Sequence, residues 1–192
     1  MREATITRST RETDITAKLN LDGSGVCKID TGIGFFDHML TALTVHGGMD
    51  LDLKAMGDLH VDGHHTVEDT GIVLGTAFRE ALKTSGAIAR YGSAFVPMDE
   101  SLAFASLDIS NRPYLVFDCE YSDDRTGAFD NCLTEEFFRA FAFNAGITLH
   151  IKLMYGSNDH HKIEAIFKAV AHALKAAKAV TGGEVLSTKG VI

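Results

Sequence analysis

The feature that most constrains this chain is a repeat of itself. His64-His65-Thr66-Val67-Glu68 recurs as His160-His161-Lys162-Ile163-Glu164, 96 residues later in a chain of 192. An offset of half the length predicts two related halves, placed here at 1–92 and 93–192 with a C-terminal tail, joined as one compact unit. Each motif opens a helical pattern. The first runs from Thr66 to about Lys83 with apolar Val67, Ile72, Val73, Leu74, Phe78 and Leu82. The second runs from about Lys162 to Val180 with Ile163, Ile166, Phe167, Val170 and Leu174.

The match extends upstream. Phe36-Asp37-His38-Met39-Leu40 opens a helix stopped by Gly47-Gly48, and Glu135-Glu136-Phe137-Phe138-Arg139 opens one that stops near Gly146. Each leads into a short alternating strand, Asp50–Leu53 and Thr148–Ile151. The offset here is 98, so the second half has two residues fewer before its histidine pair. Strand-like segments precede these helices, at Ala4–Ser9, Asp14–Leu19 and Val26–Ile29, then at Phe95–Met98, Leu102–Ile109 and Tyr114–Glu120. The order strands, helix, strand, helix, twice over, predicts an α+β fold. Each half is expected to be a mostly antiparallel sheet with helices on one face, the two related by a pseudo-twofold axis.

Composition narrows the function. A hydrophobic content of 45% and only two prolines describe a globular chain without a flexible linker. The net charge of -8 counts against a broad nucleic-acid surface, though a few local cations could still hold a phosphorylated small molecule. Three unspaced cysteines argue against a disulfide scaffold. The N-terminus is polar and alternating, unlike a signal peptide, and no apolar stretch approaches the ~18 residues of a membrane helix. A cytoplasmic protein without nucleic-acid or membrane partners is therefore expected.

Four of nine histidines sit in the two pairs. Residues i and i+4 share a helix face, so His64 with Glu68, and His160 with Glu164, can converge on one ion. His65 and His161 are turned by ~100° and aim elsewhere. One motif could thus serve two ions, or one ion within the subunit and another shared with a neighbour. No cysteine has ligand spacing, which leaves Mn, Fe or Zn in a catalytic role. A single such pair is more often a surface feature, but two copies at equivalent places of a repeat favour metal binding. His38 and Glu136 occupy matching places in the preceding helices and are candidate additional ligands, Glu136 reading equally well as a first-turn carboxylate that favours the helix dipole.

Gly34-Phe35-Phe36-Asp37-His38-Met39-Leu40, Gly57–Asp69, Asn158-Asp159-His160-His161-Lys162-Ile163-Glu164 and Leu186-Ser187-Thr188-Lys189-Gly190 resemble the signature blocks of the imidazoleglycerol-phosphate dehydratase family, with matches from about Arg8 to Gly190. The resemblance implies a ribosomal protein S5 domain 2-like fold and a hydro-lyase of histidine biosynthesis. Its substrate would be D-erythro-imidazole-glycerol phosphate, its product imidazole-acetol phosphate. Two manganese ions and a homo-oligomer of 24 subunits, with sites at subunit contacts, are also implied. The proton to be removed is too weakly acidic for an unaided carboxylate, and ions on the substrate's ring nitrogens would stabilise the imidazolate that expels the hydroxyl. Glu12 matches the family's proton-shuttling residue, though alone it would read as a solvated turn carboxylate. His46 matches a substrate-side histidine and reads equally well as a helix-terminal one. Arg90, Arg112, Lys168, Ser187 and Lys189 match the phosphate-binding set. Many members carry His where this chain has Glu136. A metal-storage or metal-sensing protein, which would need neither Glu12 nor a phosphate-binding set, and another metal-dependent enzyme on the same duplicated fold, such as a hydrolase, are the competing readings.

Overall fold

The computed structural model describes residues 2–183. The first half comprises β1 (Glu3–Ser9), β2 (Thr13–Asn20), β3 (Cys27–Asp30), α1 (Gly34–Gly47), β4 (Asp50–Gly57) and α2 (His64–Leu82). The second comprises β5 (Tyr91–Met98), β6 (Ser101–Ile109), β7 (Tyr114–Asp118), a small hairpin β8 (Arg125–Thr126) and β9 (Phe129–Asp130), then α3 (Leu133–Ala145), β10 (Ile147–Tyr155) and α4 (Asp159–Ala177). The sheets have matching orders, β1-β2-β4-β3 and β5-β6-β10-β7, each with one parallel pair, β3/β4 and β7/β10, among antiparallel ones. The α+β expectation of two mostly antiparallel sheets with helices on one face holds.

Period-two alternation builds the sheets. Ile15, Ala17 and Leu19 of β2 and Ala103, Ala105, Leu107 and Ile109 of β6 are buried, while the residues between them face outward. The buried faces meet helices. Helices α1 and α2 cover the first sheet, α3 and α4 the second. Across the middle α2 packs on α3 and α1 packs on α4, so one hydrophobic core runs through both halves. Helices α1 and α3 end alike, on Gly48 at φ 60° and Gly146 at φ 71°, left-handed caps that disfavour any side chain. Among the described residues no helix is long and apolar enough to cross a membrane.

Three details differ from the sequence expectation. Helices α2 and α4 begin earlier, at His64 and Asp159, because Asp62 Oδ1 accepts the His64 N–H at 2.8 Å and Asn158 Oδ1 accepts the His161 N–H at 3.3 Å. Each histidine pair therefore stands in a first helical turn. The two missing residues are a net figure. Strand β10 carries a bulge between Leu153 and Tyr155, which adds one residue, so the loop before His160 is three shorter than its counterpart. The β8–β9 hairpin was not foreseen, since two-residue strands carry no periodicity. It carries Phe129, fully buried against Phe35 and Phe36 of α1 with ring centroids 5.5 and 5.8 Å away, and so ties the second half to the first.

Candidate active site

The contacts between the halves gather the histidines and carboxylates. Where α1 meets α4, His38 Nε2 lies 3.5 Å and His160 Nε2 lies 3.3 Å from Glu164 Oε2. Where α2 meets α3, His64 Nε2 lies 3.7 Å from Glu68 Oε2, and Glu136 of α3 completes a second group. In each trio the potential ligand atoms lie within 4.8 Å of one another. Because α1 corresponds to α3 and α4 to α2, the two trios are equivalent under the duplication, with Glu136 standing where its partner has His38.

Each trio holds a cation from one further helical turn. Lys168 Nζ lies 2.6 Å from Glu164 Oε1. Arg139 pairs with Glu136 and, at 3.3 Å, with Glu68. Burial works against a charge on Glu164, but the hydrogen bond from Lys168 and the neighbouring His38 and His160 hold its carboxyl below the usual range. Sequence reading assigned Lys168 to phosphate and overlooked Arg139, although Arg139 follows Glu136 at i+3, a spacing that pairs side chains on a helix.

His65 and His161 belong to neither trio, as the helical rotation required. His65 Nδ1 lies 3.1 Å from both oxygens of Asp58, and His161 Nδ1 lies 2.7 Å from Glu100 Oε2. These hydrogen bonds raise both imidazole pKa values above the ordinary one. The sequence signalled neither carboxylate, because each partner comes from a loop whose approach only the folded sheet defines.

Glu12 is exposed in the β1–β2 turn, its Oε1 3.9 Å from His65 Nε2. Buried Asp69 anchors that turn to α2, accepting hydrogen bonds from Thr13 Oγ1 at 2.5 Å and Arg8 Nε at 3.1 Å. His46, in the last turn of α1, lies 5.4 Å from the ring of His172 on α4. Burial, then Lys168 and His172, lower its pKa. His172 follows Lys168 at i+4 and so shares its face of α4.

Arg90 and Arg112 converge on one carboxylate, Asp108, at 2.6 and 3.6 Å. Arg90 is buried at φ 71°, its N–H bonded to Ala177 O near the end of α4. Lys168 lies nine residues earlier on α4, about 13 Å along the axis. The chain thus holds its proposed phosphate cations in two separate places. Ser187 and Lys189 lie outside the described residues.

Fold and site together define a duplicated two-sheet α+β protein with a histidine–carboxylate trio at each contact between its halves. A family model, "Imidazoleglycerol-phosphate dehydratase", matches residues 31–174. The chain is 58% identical over 194 aligned residues to the imidazoleglycerol-phosphate dehydratase of Ruminiclostridium cellulolyticum, covering 100% of both. It is 58% identical to that of Clostridium novyi, covering 96% of this chain and 95% of the relative. Among solved structures, the Staphylococcus aureus enzyme superposes with a TM-score of 0.85 at 43% identity, covering 93% of this chain and 99% of that one. The Pyrococcus furiosus enzyme, in complex with (S)-C348, has the same TM-score at 38% identity, covering 97% and 100%. The chain belongs to the imidazoleglycerol-phosphate dehydratase family, hydro-lyases of histidine biosynthesis.

Proposed function

We propose that the chain is a cytoplasmic enzyme that eliminates water from D-erythro-imidazole-glycerol phosphate to give imidazole-acetol phosphate, using two divalent cations, manganese foremost. The observation that carries this reading is the pair of duplicated trios, His38/His160/Glu164 and His64/Glu68/Glu136. Mixed imidazole and carboxylate donors without thiolate suit an ion of intermediate hardness such as Mn²⁺. When bound, the cations supply Lewis-acid polarisation and a template for the substrate's imidazole ring.

The remaining work falls to the chain. Forming a ketone on the middle carbon requires that carbon to lose its proton and the ring-bearing carbon to lose its hydroxyl as water. An oxygen of the exposed Glu12 carboxylate takes the C–H proton and passes it to the departing hydroxyl, which leaves as water while the C–H electron pair forms the C=C bond. The enol left behind moves its O–H proton to the ring-bearing carbon and becomes the ketone. Arg90, Arg112, Lys168, Ser187 and Lys189 hold the phosphate, and His46 lies alongside. Within one chain Arg90 and Arg112 pair with Asp108 while Lys168 pairs with Glu164, so the phosphate cations stand in two separate ion-pair groups, which favours a site built from more than one copy.

Self-association, with 24 subunits as the resemblance implies, fits two further observations. His65 and His161 turn away from their own trios and so are suited to complete those of a neighbour. The outer face of the second sheet exposes Phe95, Tyr114, Val116 and Met154, whereas the equivalent face of the first exposes only Met56 as a large apolar side chain and carries Lys18, Lys28, Asp52 and Lys54.

The test is ketone formation from imidazole-glycerol phosphate by chelated protein before and after Mn²⁺ is restored, with the assembly sized by light scattering. Product only with metal is expected. A folded, metal-loaded protein that makes no ketone refutes the proposal and returns the trios to metal storage.

A further inference from the structure

The two outward histidines are held by different carboxylates. Thr13 opens β2 and Ser101 opens β6, so Glu12 and Glu100, one residue earlier, are equivalent positions of the repeat. Thr13 pairs with Gly57 across β2 and β4. On the other sheet Leu102 pairs with Tyr155, and Ser101 Oγ lies 2.2 Å from where a Cβ on Gly156 would stand, so Gly156 corresponds to Gly57. Asp58 and Ser157, one residue further on, are then equivalent too.

In the first half, Asp58 takes the His65 Nδ1, and Glu12 is left exposed in its turn. In the second, Ser157 offers no carboxylate. Glu100 takes the His161 Nδ1 instead and also accepts the Ser157 N–H at 3.1 Å and the Asn158 N–H at 2.8 Å. Each half therefore hydrogen-bonds one carboxylate to the Nδ1 of its outward histidine, from the end of β4 in the first half and the start of β6 in the second, while a second carboxylate, Glu12 or Asp99, stands 3.9 or 3.8 Å from Nε2.

A carboxylate on Nδ1 fixes the tautomer and ring orientation and leaves the Nε2 lone pair free to donate to a cation. We infer that Asp58 and Glu100 are positioning residues for His65 and His161, and that Asp58 takes this role in the first half so that Glu12 is spared for proton transfer. The duplication has in this way turned equivalent glutamates to different tasks: Glu100 orients a ligand, while Glu12 meets the substrate. The inference rests on the metal reading proposed above.

Mn²⁺ titration of the full chain, with free ion followed by paramagnetic resonance, tests it. Glu100→Ala and Asp58→Ala should each weaken Mn²⁺ binding by about 10–100-fold. Glu100→Gln should recover part of the loss, because its single amide oxygen can accept either the Nδ1–H, held by Oε2 in the parent, or the two backbone N–H groups, held by Oε1, but not both sets. Turnover by the Glu100 variants should return as Mn²⁺ is raised. Glu12→Gln should show the opposite pattern, with Mn²⁺ affinity kept and turnover lost at any Mn²⁺ concentration. If His160→Ala binds Mn²⁺ as the parent does, the metal reading itself fails. If His160→Ala weakens binding while Glu100→Ala and Asp58→Ala, folded by circular dichroism, bind like the parent, the positioning role is overturned. Mn²⁺ binding weakened in Glu12→Gln as much as in Glu100→Gln would overturn the division of tasks.

Discussion

Gly71 lies three residues after Glu68 on α2, at the crossing with α3 that brings Glu136 to its trio. A Cβ added there would stand 2.7 Å from Phe137 O and 2.8 Å from Ala140 Cβ, against 3.4 Å for the start of ordinary contact. The nearer obstacle is backbone, so Gly71→Ala must push α3 away by roughly 0.7 Å. Overpacking of this kind costs about 1–3 kcal/mol. Alanine's better helix propensity offsets about 1 kcal/mol, leaving a net loss of up to ~2 kcal/mol. For a chain of this size that lowers the thermal midpoint by up to roughly 8 °C. Because the displaced helix carries Glu136, Mn²⁺ should weaken at the His64/Glu68/Glu136 trio and hold at His38/His160/Glu164, which rests on α1 and α4. Calorimetry measures the first effect, and a Mn²⁺ titration resolving two sites measures the second. Gly34→Ala is the control: no atom lies within 4 Å of its added Cβ, so it should not destabilise. An unchanged midpoint together with two unaltered sites in Gly71→Ala would refute the reasoning.

Other perturbations read the trios individually. Glu164→Gln should abolish one of two Mn²⁺ equivalents and, at a hundredfold excess over Kd, remove about 2.7 kcal/mol of metal-linked stability, seen as a smaller rise in midpoint on adding Mn²⁺. Lys168→Met leaves the buried Glu164 carboxylate without its 2.6 Å partner and should cost the metal-free chain about 1.5–3 kcal/mol at neutral pH. Glu164 has a lowered pKa, so the stability it contributes is present above the unfolded carboxylate range and is lost as pH falls through the lowered value. The difference between parent and Lys168→Met in denaturant titrations should therefore shrink on acidification; a difference that grows contradicts the assignment. Proton competition sets the pH dependence of binding. Asp58 and Glu100 raise the pKa of His65 and His161, so these imidazoles keep a proton to higher pH than a free one. Mn²⁺ affinity measured calorimetrically should climb as pH rises through those raised values and then level off. The two ion pairs run the other way in the metal-free chain, stabilising it below the unfolded histidine value and fading as pH rises.

The chain's own pattern determined the duplication, the strand–helix order and the i, i+4 pairing of His64 with Glu68 and His160 with Glu164. These rest on periods of two and 3.6 residues and on one long-range identity, all present in linear order. It also foretold that His65 and His161 must diverge, since adjacent residues on a helix cannot share a direction. Tertiary structure alone decided the rest. It set His38 beside His160 and Glu136 beside Glu68, contacts between residues 68 to 122 apart that depend on α1 crossing α4 and α3 crossing α2. Arg139 and Lys168 join the trios by i+3 and i+4 spacings already present in the sequence, but only the fold brought Asp58 and Glu100 onto the outward histidines and seated Phe129 on α1. Such partners are chosen by how two sheets and four helices pack, and spacing along the chain carries no record of that choice.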